Sequence, residues 1–279
     1  MSTVEFSIVV PCYNQAPYLK ETLLSVKNQS YTDWECIVVN DGSTDDSEKI
    51  IDEICALDPR FRKITQTNQG LATTRNNGIR AAKGHFILPL DGDDKIGPEY
   101  LELAEKEFRN DPTIKLVYAE AKFFGTEDEH WPLPPYDYTR LLFVNCIYCS
   151  AIFRRDDYLK TEGYDTNMRH GYEDWEFWLQ LLNKDDKVVR LDTVQFYYRQ
   201  RAQSMISFLH EEEKRKEMEN YIVRKHIMKY PAFMQQGLSM EVLLDISYRL
   251  QELEQLKNSL SYKKGFKLEN SIRKKLGRI

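Results

Sequence analysis

FSIVVPCYNQAPYLKETLLSV, residues 6–26, decides the fold. Phe6 to Val10 is a near-continuous β-branched and apolar run, which suits a strand buried on both faces of a sheet. Leu19, Leu23 and Val26 then recur at i, i+4 and i+7, which is one face of a helix. Working outward, Glu35 to Asn40 (ECIVVN) reads as a second strand. Asp45 or Asp46 can cap the helix after it, whose stripe is Ile50, Ile51, Ile54 and Leu57 and which Asp58-Pro59 stops. The unit repeats with a strand at Arg62 to Thr67, a helix from Gly70 to Ala82, a strand at His85 to Leu90 (HFILPL) and a helix through Leu101, Ala104 and Phe108. This βαβα order predicts an α/β fold: a Rossmann-like, mostly parallel sheet with helices on both faces, binding its ligand beyond the carboxyl ends of the strands. Polar groups gather at those ends: Pro11-Cys12-Tyr13-Asn14, Asn40 to Asp45, and Asp91-Gly92-Asp93-Asp94.

The 279 residues fit one large domain or a domain with an appendage, and 42% hydrophobic with 30% charged residues excludes a disordered or collagen-like chain. With 44 acidic against 39 basic residues the net charge is -5, so nucleic acid, which needs a basic face, is not an expected partner. No apolar run approaches the ~18 residues of a membrane span, and no basic segment precedes the first hydrophobic stretch. A cytoplasmic location is therefore expected. The five cysteines are sparse and odd in number and read as free thiols. Cys146 and Cys149 have zinc-knuckle spacing but lack a second ligand pair.

From Thr126 the pattern turns irregular, with Trp131-Pro132-Leu133-Pro134-Pro135 forbidding regular structure before the chain resumes at Cys149 to Phe153. A helix is expected from Tyr172 to Asn183 and two short strands at Val188 to Leu191 and Gln195 to Arg199. After Arg201 only helical character remains, with Leu243, Ile246, Leu250, Leu253 and Leu260 spaced to pack back onto the domain.

Asp91, Asp93 and Asp94 put three carboxylates directly after a buried strand and before the helix that Pro98 starts. Such a turn can simply cap that helix, but hard cations such as Mg²⁺ or Mn²⁺ take one or two carboxylates and leave the remaining positions to water and phosphate. Asp41 ends another strand at the same rim, where it can accept from a ribose hydroxyl or a base N–H. No GxGxxG or GxxxxGK[ST] loop is present, so a metal must do the phosphate work.

SIVVPCYNQAPYLKETLLSV (7–26), VVNDGSTDDS (38–47), NQGLATTRNNGIRAAKG (68–84), LPLDGDD (88–94) and GYEDWEFWLQL (171–181) resemble, in order and spacing, the family 2 glycosyltransferases of GT-A fold. The resemblance covers residues 6 to 205. It implies an enzyme that moves a sugar from a nucleotide-diphospho-sugar, with a UDP-sugar first among the candidates, to a saccharide or lipid-linked acceptor in polysaccharide or glycolipid synthesis. It implies that Pro11, Tyr13, Asn14 and Asp41 hold the nucleoside. Arg75 and Asp91 would sit near the nucleotide-sugar, and Asp91 with Asp93 would meet Mn²⁺ or Mg²⁺ and the diphosphate, with Asp94 able to replace either. Arg199 and Arg201 would act as phosphate clamps and Asp174 as general base. One carboxylate suffices for an inverting transfer. Asp174 falls in the first turn of its helix, where the dipole favours the ionised form. Trp175, Trp178, Leu179 and Leu182 form the stripe that anchors this helix, with Trp175 also available to an acceptor ring.

The expected organisation is a GT-A domain over 1–205 and a helical extension over 206–279. Its last stretch, 261–279, carries seven basic residues against one acid, with Phe266, Ile272, Leu276 and Ile279 at near-helical intervals. That segment can lie on the anionic inner face of a membrane or remain a solvated basic end. Three rivals stand beside this reading. A silent sugar-nucleotide-binding module has no use for Asp174. A sugar-1-phosphate nucleotidyltransferase would put a glycine-rich loop after the first strand, where CYNQAPYLK has none. An interaction protein would act through residues 206–279 alone.

Overall fold

The computed structural model describes residues 4–126, 128–201 and 212–230. The Leu243 to Leu260 run, the basic segment 261–279 and the 205/206 boundary lie outside the described residues. The chain forms two compact units, Met1–Leu141 with Asn145–Met218, and Leu142–Val144 with Glu219–Ile279.

In the first unit β1 (Phe6–Cys12), α1 (Ala16–Lys27), β2 (Trp34–Asn40), α2 (Ser47–Leu57), β3 (Phe61–Thr65), α3 (Leu71–Ala81) and β4 (Phe86–Pro89) follow one another. β5 (Lys95–Ile96), α4 (Tyr100–Asn110), β6 (Ile114–Gly125), β7 (His130–Trp131), α5 (Tyr138–Leu141), β8 (Ile152–Arg154), α6 (Arg155–Tyr158), α7 (Glu173–Leu181) and β9 (Lys187–Gln200) complete the sheet and its helices, and α8 (Glu212–Lys225) comes after them. The sheet order is β3-β2-β1-β4-β8-β6-β9-β5, with β7 on the side of β6. It is parallel across β3-β2-β1-β4; β8 then runs antiparallel to both β4 and β6, and β9 is again parallel to β6. Every residue of β1 and β2 is buried, as their apolar runs require. Pro11, which has no N–H, falls beyond Val9, the last residue of β1 in register with β4.

Right-handed crossovers put α1 and α2 on one face, since β1, β2 and β3 step in one direction. They put α3 on the other face, because it returns from β3 to β4. Gly78 lets α3 approach the sheet closely: a methyl there would run into Val9 Cγ1 and lie 3.0 Å from Val39 Cγ2. Gly78→Ala is therefore expected to destabilise the fold by ~1–3 kcal/mol, the usual scale of overpacking, read as a lower denaturation midpoint.

The irregular stretch after Thr126 holds little regular structure, as expected, but the long β6 before it was not anticipated. The two expected strands at 188–191 and 195–199 are one strand, β9. Leu191 pairs with Ala119 and Val194 with Glu120, so the exposed Asp192 and Thr193 form a bulge rather than a break. In the second unit Tyr230 donates to the Leu142 carbonyl at 2.6 Å, and its ring meets Phe143 edge-on at 5.6 Å. Among the described residues no helix is long and apolar enough to cross a membrane, and all five cysteines are free thiols.

Candidate active site at the carboxyl ends of the strands

The loops after β1 and β2 are stapled together. Asn14, in the left-handed region at φ 53, accepts from Thr44 N at 2.8 Å, and its own N–H donates to Ser43 Oγ at 3.1 Å. Of the two candidate caps, Asp45 does the work: it accepts from Ser47 N at the start of α2 and from Ala16 N at the start of α1, both at 3.0 Å. Asp41 is buried and accepts from Gln66 Nε2 and Gln69 N at 2.8 Å and from Gly70 N at 3.0 Å. One carboxylate thus shapes the turn into α3, where Gly70 adopts φ 86, a conformation that costs glycine little.

Arg75 on α3 is fully buried. Its fork holds Asp91 at 2.6 Å through one amino group and Glu173 at 2.5 Å through the other, an arrangement lysine cannot reproduce. Cys149 Sγ lies 3.6 Å from the other oxygen of Asp91. Asp94 is buried, with one carboxylate oxygen accepting from Arg199 N at 2.8 Å and the second without a partner. Burial, and next the charge of Asp91, push Asp94 well above the ordinary carboxylate range. Arg199 also donates to the Asp93 carbonyl at 2.8 Å and pairs with Glu21, while Arg201 is ion-paired to the Asp93 carboxylate. Both guanidinium groups lie 4.7 Å from the centre of the Tyr18 ring.

These loops enclose a cavity of about 740 Å³. Pro11, Tyr13, Asp41, Asp91, Asp93, Arg199 and Arg201 line it, together with residues 68–74, Thr166 to Arg169, Gly171, Glu173 and Tyr198. Three expected site residues are not on its wall. Asn14 staples the two loops instead, and Arg75 lies buried beneath, holding Asp91. Asp174 is half-buried next to Glu173, which does line the cavity.

Asp174 is set by an unusual turn: Tyr172, just before α7, adopts φ 62, a strained conformation for a residue with a side chain. The Asp174 carboxylate accepts from Trp175 N at 2.7 Å and from Asn145 Nδ2 at 3.2 Å. Its pKa is nevertheless raised to about 7, by burial first and by the neighbouring Glu173 charge second, with Arg75 pulling the other way. The helix dipole expected to keep it ionised is outweighed, because dipole effects are modest beside the loss of hydration. The stripe behind it is core: Trp175 and Trp178 are buried and donate their indole N–H groups to the carbonyls of Leu141 at 2.6 Å and Ile147 at 3.0 Å.

The donor set fits a hard divalent cation. Asp91, Asp94 and Cys149 bring ligand atoms within 4.8 Å of one another, and Asp93 adds a carboxylate on the cavity wall. Oxygen suits Mg²⁺ or Mn²⁺, and a thiol whose pKa burial pushes far up does not, so Asp91 and Asp93 would hold the ion with the unpartnered oxygen of Asp94 behind them.

Sequence reasoning missed Asn145, which carries no signal inside an irregular segment, saw Cys149 only through its zinc-knuckle spacing to Cys146, and missed the Thr166 to Arg169 wall. It also missed Gln66 and Gln69 as partners of Asp41; a turn between strand and helix facing an acidic strand end was the available clue.

The family model described as Glycosyl transferase family 2 matches residues 7–177, ending within α7 and short of the cavity-lining part of β9. An uncharacterized glycosyltransferase of Haemophilus influenzae is 34% identical over 183 residues, covering 64% of this chain and 72% of that one. Chondroitin synthase of Escherichia coli is 32% identical over 183 residues, covering 63% of this chain, but this chain spans only 26% of its length. Among solved structures, Staphylococcus aureus TarS 1–349 in complex with UDP-GlcNAc is similar at TM-score 0.62 and 19% identity, covering 84% of this chain and 74% of that one. A mannosyltransferase of Pyrobaculum calidifontis in complex with GDP-Man and Mn²⁺ is similar at TM-score 0.63 and 17% identity, covering 98% of this chain and 81% of that one. These two likenesses are of fold, and the fold is GT-A. A family match that takes in β1 to β4, the acidic turn after them and the start of α7 accounts for most of the cavity wall, and by it the chain belongs to glycosyl transferase family 2.

Proposed function

We propose that the chain transfers a glycosyl group, with inversion, from a nucleotide-diphospho-sugar to an acceptor hydroxyl in polysaccharide or glycolipid synthesis. The single observation that carries this reading is the common cavity: Asp41, the Asp91 and Asp93 pair, and Glu173, three places far apart in sequence, open onto it, with Asp174 next to Glu173. In this reading residues 1–205 hold the transfer machinery. Pro11, Tyr13 and Asp41 bound the nucleoside end. Asp91 and Asp93 would hold a divalent cation, which when bound offsets the negative charge that develops on the departing diphosphate. Arg199 and Arg201 add fixed positive charge on the same side. Asp174 accepts the proton of the acceptor hydroxyl as its oxygen bonds to C1 of the sugar and the bond from C1 to the diphosphate oxygen breaks. The donors bound by the two similar solved structures, UDP-GlcNAc and GDP-Man, support a nucleotide-sugar, with UDP-sugars first to be tried. A saccharide or lipid-linked acceptor agrees with the polysaccharide synthases among the relatives.

The test is a panel of nucleotide-sugars scored for Mn²⁺-dependent release of nucleoside diphosphate, over a pH series. Release from at least one donor is expected. Because the base must be deprotonated to act, the rate is expected to rise as pH increases through about 7. A panel that yields no nucleoside diphosphate with any donor overturns the proposal.

A further inference from the structure

The charges around Asp174 are arranged about one buried cation. Arg75 reaches from α3 to two carboxylates that belong to different parts of the site: Asp91, on the loop after β4, and Glu173, the first residue of α7. Its guanidinium lies 5.3 Å from the centre of the Tyr164 ring, and its Nε has no partner. A fully desolvated arginine is held this firmly only where both carboxylates are in place. Because the fork is rigid, moving either carboxylate moves the other.

We propose that Arg75 is a strut fixing the first turn of α7 to the acidic loop after β4, and that Glu173, its grip on the helix, is a positioning residue for the Asp174 carboxylate. The inference deepens the reading of Asp174 as base. A free Glu173 charge beside Asp174 would hold the Asp174 proton on. Paired with Arg75, Glu173 keeps α7 in place while Arg75 returns positive charge to the same spot. The groups that act on Asp174 electrostatically or by hydrogen bonding are Glu173 and the Trp175 N–H on its own helix, Arg75 on α3, Asn145 and Cys149 on the segment before β8, Tyr164 before α7, and Tyr198 on β9. Among them Arg75 is the cation and Glu173 the acid, so these two set the balance.

The experiment is a ¹³C NMR titration of aspartate carboxyl groups in the full chain, with the Asp174 signal assigned by its loss in Asp174→Asn. It requires no substrate. Glu173→Gln keeps the shape and an acceptor for Arg75 but removes the charge, and is expected to lower the Asp174 midpoint by about one pH unit. Arg75→Gln removes the cation and is expected to raise the midpoint and speed amide exchange in the first turn of α7. An unmoved or raised midpoint in Glu173→Gln, or an unmoved one in Arg75→Gln, overturns the strut. Failure of the base assignment is read separately: Asp174→Asn would then keep its transfer rate whatever the titrations give.

Discussion

Asp174→Asn is expected to cut glycosyl transfer by about 10²–10⁴-fold, the usual contribution of a positioned base, while nucleotide binding is retained. Asparagine keeps the shape of the side chain, so the contacts with Trp175 N and Asn145 can be largely preserved. What it cannot do is accept the acceptor's proton. Binding should survive because Asp41, Asp91 and Asp93 lie on other loops. A second consequence separates a chemical defect from a folding one. The Asp174 pKa is raised in the folded state, so between the ordinary aspartate pKa and about 7 the folded protein binds more protons than the unfolded chain. Stability contributed by this group is therefore present at low pH and lost as pH rises to about 7. Asparagine never ionises, so Asp174→Asn is expected to melt at a higher temperature than the parent at pH 8, with the difference vanishing in acid. Near-normal transfer by the variant, measured on whichever donor the panel identifies, would refute the assignment.

Asp93→Ala is expected to abolish Mn²⁺-dependent tightening of nucleotide binding and to lower kcat/KM by at least ~100-fold, equivalent to ~2.7 kcal/mol of transition-state stabilisation. Asp93 is the carboxylate of the acidic turn that Arg201, just beyond β9, already reaches, which marks it as the place where positive charge is wanted. Asp91 cannot fully substitute, since one of its oxygens is committed to Arg75. Asp94 cannot either: it is buried, tied to Arg199 N, and favours its protonated form. Calorimetry of UDP binding with and without Mn²⁺ gives the answer, and an unchanged Mn²⁺ dependence counts against Asp93 as ligand.

Sequence alone revealed the β1 to β4 half because β1, β2 and β4 are buried on both faces and α1 and α2 carry apolar stripes, so period and burial coincide. β6 was illegible for the opposite reason. Lys115, Glu120 and Lys122 interrupt its apolar residues and are only half-buried, so the strand lacks a clean period. The bulge at Asp192 and Thr193 disguised one strand as two. For the site, residue types at strand ends were readable, but their partners were not. Nothing local marks Arg75 as buried beneath the cavity floor, because its burial depends on Glu173, 98 residues away. The dipole argument for Asp174 failed because it is local, whereas desolvation is imposed by the whole surroundings.

The parallel pairing of β6 with β9 bears on how the molecule assembles. β1 with β2 and β2 with β3 meet through crossovers of a single helix each, so their contacts close short loops, whereas β4 reaches β1 only across α1, β2, α2, β3 and α3. Ile114 finds Lys187 only after all the chain between them, α7 included, has been gathered in, and long closures are met late because their entropy is lost before their contacts form. Refolding should therefore join β1, β2 and β3 first, leaving two long closures to arrive late: β4 onto β1, with the acidic turn behind it, and β9 onto β6, with the segment that carries Asp174.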